Sequence, residues 1–336
     1  MDMKKTIVAG ACALAAGMAA AAAGNESLMG YAKGADVIDV KVAEGRIDTI
    51  SGIVYNQVKS LRNVRQLKMT TLVPRNGAKK PAIIYFPGGG FTSADHEKFL
   101  EMRYALARAG FVVAACEYRT VPDKFPALLN DAKAAVRFLR AHADEYGVDP
   151  AHIGILGDSA GGYLVQMMGA TNGEKTWDKG DFLEQSSDVQ AVVSFYGISD
   201  LRSIGEGLGQ DKVHQSPAVT EALLVNGPAF KSFAGASILA DDAKAKNASP
   251  IGHIDGSEPP FLLMHGSADR VVSPIQSRRM YEALTQAKVD AQYVIVRDAG
   301  HGDLPWFQPA VINRVVKFFT AKLGDPAAAA GASDLK

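Results

Sequence analysis

Short apolar runs alternate with amphipathic helical segments from residue 81 towards the end of the chain. In the segment 127–146, apolar residues recur at intervals of three and four, which places them on one buried helical stripe. The predicted strands are instead short, mostly apolar runs, at 81–86, 111–119, 153–157, 191–197, 260–266 and 291–296. Strands of this kind between helices are typical of a mainly parallel sheet covered on both faces. The pattern therefore predicts an α/β fold.

The other predicted helices lie at 96–110, from Ser159 onward, after Ser273 and at 308–323. Ser273 is expected to be an N-cap, with Pro274 in the first helical position, because this pairing is favoured at helix starts. Helices at these places separate every pair of successive apolar strands except 191–197 and 260–266. The helices are expected to cover both faces of the sheet.

Two further strands are predicted before the parallel set. Polar and apolar residues roughly alternate over 35–42 and 65–74, which indicates antiparallel edge strands. They complete a predicted sheet of eight strands. The segment 198–258 interrupts the alternation of strands and helices. It places about sixty residues between the predicted strands 191–197 and 260–266, far more than a crossover requires. We expect either a lid or pocket wall at the carboxyl edge of the sheet, or a plain surface insertion.

The two ends of the chain differ in composition from the rest. Residues 1–24 combine a basic start, an uncharged Ala-rich run and small terminal residues, which predicts a signal peptide and a secreted or periplasmic protein without stable membrane insertion. Cys12 is a poor lipoprotein site because Ala9 stands where a larger aliphatic residue is usual. Residues 324–336 lack core-forming side chains and are expected to be a disordered tail. The folded domain is therefore predicted over 25–323.

The charge balance and the cysteine content narrow the range of partners. Basic and acidic residues number 36 each, and no basic run stands out, which argues against a nucleic-acid partner. No His or Cys spacing typical of zinc occurs, and neither a metal nor a cofactor is expected. Cys116, the one cysteine left after signal removal, lies in a predicted strand and is expected to be a small buried hydrophobe.

The motif GDSAGG places Ser159 between a predicted strand and a predicted helix. Gly157 and Gly161 would be required if the strand and helix backbones approach closely at a sharp turn. The partial positive charge of a helix N-terminus would favour a developing anion there. The pattern predicts a nucleophile, with a helix-capping serine as the alternative because the motif is short. We interpret the neighbouring Asp158 as a turn-stabilising residue.

The run FPGGGF directly follows the predicted strand 81–86. Consecutive glycines leave backbone N–H groups uncovered, so they are able to converge on an oxyanion. Gly89 and Gly90, together with the N–H of Ala160, are the predicted donors of an oxyanion hole. A merely flexible loop is the alternative interpretation.

An acid and a base are expected at other strand ends, since an open α/β sheet binds ligands at the carboxyl ends of its strands. Asp269 follows strand 260–266, and His301 lies in a Gly-flanked loop after the last strand. Asp200, after strand 191–197, is the alternative acid. His265 ends a strand and is interpreted as structural.

The order Ser159, Asp269, His301 matches the α/β-hydrolase fold. The block EYRTVPDKFPALLNDAKAAVRFLRAHADEYGVDPAHIGILGDSAGGYL resembles the carboxylesterase branch that contains hormone-sensitive-lipase-like and bifunctional feruloyl/acetyl-xylan esterases. The similarity extends over 65–322 and implies a Ser-His-Asp triad. Pro87 stands where the family commonly has His, which keeps the glycine N–H donors but removes a side chain that helps brace their loop.

The resemblance implies a carboxylesterase acting on acetyl or hydroxycinnamoyl esters of plant polysaccharides or on related small esters. Phe91, Tyr196 and Trp306 lie near the candidate loops in sequence and are candidate pocket residues, with core packing as the alternative. Three other functions stay open: a small-ester or short-chain lipid esterase, an amidase or peptidase of the same fold, and a non-catalytic scaffold.

Overall fold

The computed structural model of the chain describes residues 26–41, 45–75 and 77–326. The chain divides into two compact units between Glu44 and Gly45. The described part of the first unit consists of turns and irregular chain, and the second contains all the described helices and strands. The predicted signal peptide, Cys12 and most of the predicted tail lie outside the described residues.

Eight strands of the described chain form one sheet, in the spatial order β1-β2-β4-β3-β5-β6-β7-β8. The strands are β1 (Arg46–Lys59), β2 (Val64–Arg75), β3 (Lys80–Phe86), β4 (Val112–Cys116), β5 (Val148–Asp158), β6 (Ala191–Phe195), β7 (Phe261–Gly266) and β8 (Ala291–Val296). Strand β2 is antiparallel to β1 and β4, and the remaining pairs are parallel. The predicted eight-stranded, mainly parallel sheet is confirmed.

The described α-helices lie on both faces of this sheet, as predicted. They are α1 (Leu100–Arg108), α2 (Ala127–Ala141), α3 (Ala143–Tyr146), α4 (Ala160–Ala170), α5 (Asp211–His214), α6 (Thr220–Asn226), α7 (Asp242–Asn247), α8 (Ile275–Gln286) and α9 (Pro309–Leu323). One buried apolar cluster joins the sheet to α2, α4 and α8, and a second joins it to α1 and α9. Within the described ranges, no helix has both the length and the hydropathy to cross a membrane.

The outer edge of the sheet differs from the prediction. The described part of 35–42 forms no strand, and the strand at this edge of the sheet is β1, at 46–59. The predicted edge strand 65–74 lies in β2, which is not at the edge because it pairs with both β1 and β4. The register of β1 against β2 shifts after Ile50 and again after Val54. Such bulges break the alternation by which a strand is recognised in sequence, which explains why the pattern did not single out β1.

Helix α1 starts four residues further along the chain than predicted, and α4, α8 and α9 each start one residue further along. Helix α1 begins at Leu100 because Phe99 adopts a left-handed conformation, with φ 57°. Helix α8 begins at Ile275, one residue after the predicted first position, Pro274. Ser273 nevertheless caps it, since its hydroxyl oxygen accepts a hydrogen bond from the Ile275 N–H at 3.2 Å.

The segment 198–258 consists of short helices joined by loops and is anchored at its start. The side-chain oxygen of Gln276 in α8 accepts hydrogen bonds from the N–H groups of Ser199 and Asp200, at 2.9 and 2.8 Å. The N–H of Ile251 donates to the Ser199 carbonyl at 3.1 Å. The start of the insertion is therefore held by α8, and its later part returns to the same place through Ile251.

Candidate active site

Ser159 lies at a sharp turn between β5 and α4. Its backbone adopts φ 54° and ψ −118°, an unusual conformation for a residue other than glycine. The surrounding structure holds it in place, since its N–H donates to the Phe195 carbonyl and its own carbonyl accepts from the Tyr163 N–H, both at 2.9 Å. A Cβ on Gly157 would lie 2.3 Å from the Gly161 carbonyl oxygen. The close approach of strand and helix expected from GDSAGG is present.

Gly161→Ala is expected to destabilise the protein by about 3 kcal/mol or more, in the upper part of the range for overpacked interiors. The new Cβ would lie 2.0 Å from the carbonyl oxygen of Phe86. Gly173→Ala is the matched control, because its Cβ would meet no atom within 4 Å although φ is +80°. The free energy of unfolding of this control should fall by about 1–2 kcal/mol, because an alanine is strained in the left-handed backbone conformation. Equal urea midpoints for the two variants would contradict the close packing.

His301 connects Ser159 to Asp269. Its Nε2 lies 2.8 Å from the Ser159 Oγ, and its Nδ1 lies 2.8 Å from the Asp269 Oδ2. Because an ionised carboxylate only accepts hydrogen bonds, Nδ1 carries the proton and Nε2 is able to accept from the serine hydroxyl. The three side chains follow β5, β7 and β8. The structure thus brings together the three residues that the sequence placed at strand ends.

Asp269 is buried, with 1% of its surface exposed, and it faces several donors. The N–H groups of Val271 and Val272 donate to its Oδ1 at 2.8 and 3.0 Å. Its Oδ2 faces His301 and also lies 3.3 Å from the Nε2 of His265. Burial raises the pKa of the Asp269 carboxyl, but the hydrogen bonds from His265 and His301 outweigh it and hold the pKa well below its usual range. Asp269 is therefore ionised at neutral pH.

His265 is fully buried and supports this carboxylate. Its Nδ1 lies 2.7 Å from the Ser277 Oγ, and its Nε2 lies 3.0 Å from the Val272 carbonyl oxygen. Because Nε2 faces a carbonyl and the Asp269 carboxylate, it is the nitrogen that carries the proton. The buried, fully bonded side chain agrees with the structural interpretation of His265.

Asp200, the alternative acid, has other partners. Its carboxylate accepts two hydrogen bonds from the Arg202 guanidinium, both at 2.9 Å. Burial raises the pKa of the Asp200 carboxyl, but these bonds prevail and lower it overall. The carboxylate bonded to His301 is that of Asp269. The structure does not bring Asp200 into the chain of hydrogen bonds that ends at the serine.

The glycine loop after β3 faces the same cavity as Ser159. The N–H of Gly88 is already used, since it donates to the Asp158 Oδ1 at 2.8 Å. Gly89 and Gly90 both line the cavity. Ala160 is the first residue of α4, so its N–H has no acceptor within the helix. These three groups, and not Gly88, remain as the candidate donors to an oxyanion.

Asp158 ties this loop to the serine turn. Besides the Gly88 N–H, its Oδ1 accepts a hydrogen bond from the Tyr85 hydroxyl at 2.7 Å. The Asp158 side chain thus makes one connection to β3, through Tyr85, and a second to the glycine loop, through Gly88, rather than the hydrogen bonds within its own turn that the interpretation as a turn-stabilising residue expects. Sequence analysis missed this second connection, because Asp158 and Gly88 are seventy positions apart.

The cavity beside Ser159 has a volume of about 420 Å³, within the usual range for small-ligand pockets. Its wall includes six residues that sequence analysis missed: Tyr85, Lys98, Phe99, Val271, Gly302 and Phe307. Val271 and Gly302 lie within two residues of Asp269 and His301, a proximity that could have pointed to them. Tyr85 lies three residues before Gly88 and Phe307 lies next to Trp306, whereas Lys98 and Phe99 lie eight and nine residues after Gly90. In the described residues, no group of three or more His, Cys, Asp or Glu is arranged to hold a metal ion.

Of the three predicted pocket residues, Tyr196 lines the cavity and the other two do not. The Tyr196 ring lies 4.6 Å, between centroids, from the His301 ring. Trp306 is fully buried, and its indole N–H donates to a backbone carbonyl in the His301 loop at 2.9 Å. Phe91 is also buried and packs edge-on against Tyr163. Phe91 and Trp306 are core residues because their side chains turn inward.

The described residues that line this cavity include none from 198–258. A connection exists at the rim, where the Gln210 side chain donates to the Arg270 carbonyl at 3.1 Å, next to Val271. The predicted pocket wall is therefore not part of this cavity. The lid stays a prediction.

Residues 70–284, more than half of the chain, match the BD-FAE family. A relative in Mycobacterium tuberculosis, "Probable carboxylic ester hydrolase LipM", is 31% identical over 233 residues, which are 68% of this chain and 49% of that protein. The chain spans about half the length of the curated relatives it matches.

Two solved structures are similar over most of the chain. A truncated carbohydrate esterase from gut microbiota has a TM-score of 0.69 and 27% identity, covering 82% of this chain and 96% of its own. An acetyl ester-xyloside bifunctional hydrolase from Caldicellulosiruptor lactoaceticus has a TM-score of 0.64 and 26% identity, covering 83% and 97%. Together with the strand order and the family match, these likenesses establish that the chain belongs to the BD-FAE family and has the α/β-hydrolase fold.

Proposed function

We propose that the protein hydrolyses carboxylic esters, with Ser159 as nucleophile, His301 as general base and Asp269 as the carboxylate that orients the imidazole. One observation carries this proposal: two successive hydrogen bonds of 2.8 Å join Asp269 through His301 to the Ser159 hydroxyl. The hydroxyl lies beside the glycine loop in a cavity of ligand size. A nucleophile, a base and an orienting group in this relation are what covalent acyl transfer requires.

The first half of the reaction forms an acyl-enzyme. The Ser159 Oγ attacks the ester carbonyl carbon while His301 Nε2 takes the hydroxyl proton. The ionised Asp269 then stabilises the imidazolium. The new oxyanion accepts hydrogen bonds from the N–H groups of Gly89, Gly90 and Ala160. When the tetrahedral intermediate collapses, the ester C–O bond breaks, and the imidazolium proton passes to the leaving alcohol oxygen.

The second half releases the acid. A water molecule attacks the acyl carbon of the acyl-enzyme and gives its proton to His301 Nε2. The same backbone donors bind the second oxyanion. Collapse of this intermediate breaks the bond to the Ser159 Oγ, which recovers its proton from His301. The products are a carboxylic acid and free enzyme.

The proposed substrates are acetyl or hydroxycinnamoyl esters of plant polysaccharides, or related small esters. The likeness to a carbohydrate esterase and to an acetyl ester-xyloside hydrolase supports a carbohydrate ester. Phe99, Tyr196 and Phe307 line the cavity beside Ser159, and aromatic side chains of this kind suit an acyl or aromatic group. Export through the predicted signal peptide would bring the enzyme to polymeric substrates outside the cell.

A two-substrate comparison tests the proposal. The purified protein is given p-nitrophenyl acetate and methyl ferulate, with Ser159→Ala as the inactive control. Release from both substrates, lost in the variant, would support the polysaccharide esterase and lead to acetylated and feruloylated xylan next. Release of acetate alone would favour a small-acyl esterase.

If the protein releases product from neither ester, ester hydrolysis is contradicted. A serine-directed fluorophosphonate probe then separates two alternatives. Labelling of Ser159 would indicate an amidase or peptidase of the same fold, and its failure would indicate a non-catalytic scaffold.

A further inference from the structure

Three successive carbonyl groups of the glycine loop each accept a hydrogen bond from elsewhere. The Tyr118 hydroxyl donates to Pro87 at 2.6 Å, the Lys98 ammonium donates to Gly88 at 2.8 Å, and the Thr92 and Ser93 N–H groups donate to Gly89 at 3.0 and 3.2 Å. Tyr118, Lys98 and the turn that directly follows the loop therefore hold it, and its three glycines have high conformational freedom on their own.

The contact with Lys98 acts on the peptide group that matters most for an oxyanion. The carbonyl of Gly88 and the N–H of Gly89 belong to one peptide unit, which is planar and trans, so they point in opposite directions. A bond that fixes the carbonyl therefore fixes the direction of the N–H. Lys98 holds the carbonyl, and Gly89 lines the cavity beside Ser159.

The charge of Lys98 adds to this geometric effect. A hydrogen bond from an ammonium group is stronger than one from a neutral donor. Because hydrogen bonds in series polarise one another, it also makes the N–H on the other side of the peptide a better donor. The Asp158 carboxylate lies 4.0 Å from the Lys98 Nζ and accepts a hydrogen bond from the Gly88 N–H. Both the N–H and the carbonyl of Gly88 are therefore hydrogen-bonded.

We infer that Lys98 is a positioning residue for the oxyanion hole. Its ammonium orients and polarises the Gly88–Gly89 peptide so that the Gly89 N–H binds the developing negative charge. The inference rests on the proposed ester hydrolysis.

The test compares Lys98→Met, Lys98→Arg and Lys317→Met with the wild type on p-nitrophenyl acetate. Loss of a whole oxyanion donor lowers kcat by about 10²–10³, so loss of its brace is expected to lower kcat about 10–100-fold. KM should change less than about 3-fold, because the contact strengthens only in the transition state. Lys98→Arg keeps the charge and the donors and should recover most of kcat. Lys317 is exposed on α9, and its variant should match the wild type.

A second readout separates positioning from a general loosening of the fold. A trifluoromethyl ketone forms a tetrahedral oxyanion adduct with a reactive serine, so it samples the same donors as the transition state. Its affinity for Lys98→Met should fall by the same factor as kcat/KM, while the melting curve shows that the variant is folded. If Lys98→Met does not fold, Lys98→Gln takes its place with the same expected loss.

The outcomes distinguish this inference from the function on which it rests. One outcome overturns the role of Lys98 and leaves ester hydrolysis standing. In that outcome the wild type hydrolyses the ester, Ser159→Ala does not, and Lys98→Met keeps the wild-type kcat. Equal losses in Lys98→Met and Lys98→Arg, with a raised KM and unchanged affinity for the ketone, would also overturn it. If the wild type hydrolyses no ester, the proposed function fails and the inference fails with it.

Discussion

Ser159→Ala is expected to lower kcat by roughly 10⁴–10⁶ without unfolding the protein. The alanine removes the oxygen that His301 bonds at 2.8 Å, so no acyl-enzyme is able to form. The fold should persist because Ser159 is held by backbone hydrogen bonds to Phe195 and Tyr163, and its hydroxyl makes no capping bond to α4. Residual turnover above that in water would then come from the proposed oxyanion donors and from substrate binding.

The measurement is kcat on p-nitrophenyl acetate together with thermal melting followed by circular dichroism. Ser257→Ala is the matched control, because Ser257 is an exposed serine in the loop before β7. It should keep both the wild-type kcat and the wild-type melting curve. A folded Ser159→Ala protein that turns over the ester at a rate near that of the wild type would refute the assignment of the nucleophile.

Asp269→Asn is expected to lower kcat by about 10⁴, as loss of the triad carboxylate does where the geometry is kept. The uncharged amide no longer stabilises the imidazolium and no longer selects the tautomer with the proton on Nδ1 of His301. Asp269 also accepts hydrogen bonds from Val271 and Val272, and the asparagine oxygen is able to keep these. The loss should therefore fall mainly on kcat, with a smaller loss of stability because the asparagine amide nitrogen would face the Nε2–H of His265.

Asp200→Asn is the matched control for this variant. Asp200 is also a buried carboxylate at a strand end, but its partner is Arg202. The kcat of Asp200→Asn is expected to stay within about 3-fold of that of the wild type, because the Asp200 side chain has no contact with the reacting groups. The two variants are compared by kcat and by melting temperature. Loss of activity in Asp200→Asn with little effect in Asp269→Asn would reverse the choice of acid.

Much of this site is predictable from sequence because local patterns carry it. The strands from β3 to β8 are short apolar runs, and a parallel sheet brings their carboxyl ends to one edge. Ser159, Asp269 and His301 all follow such ends, so their meeting follows from chain order. Gly157 and Gly161 mark the sharp turn because no other residue fits where two backbones touch.

Some of the residues that sequence reasoning missed, Lys98 among them, lack any local signature. Lys98 is one lysine among many in sequence, and its bond to the Gly88 carbonyl exists only once the segment before α1 lies beside the glycine loop. Phe91 and Trp306 were placed near the site by sequence distance, yet both side chains turn into the core. Closeness along the chain does not determine on which side of a loop a side chain lies.

The sequence by itself determined the class of fold, the strand-to-helix turn at Ser159 and the order of the three candidate catalytic residues. These depend on hydrophobic period and on steric limits within a few neighbouring residues. The tertiary structure alone decided that Asp269 and not Asp200 bonds to His301, and that Lys98 and Asp158 bind the glycine loop. It also decided that β1 and not the described part of 35–42 forms the strand beside β2 at the edge of the sheet. Those outcomes depend on which distant segments pack together, and packing is decided by the whole sheet and its crossovers.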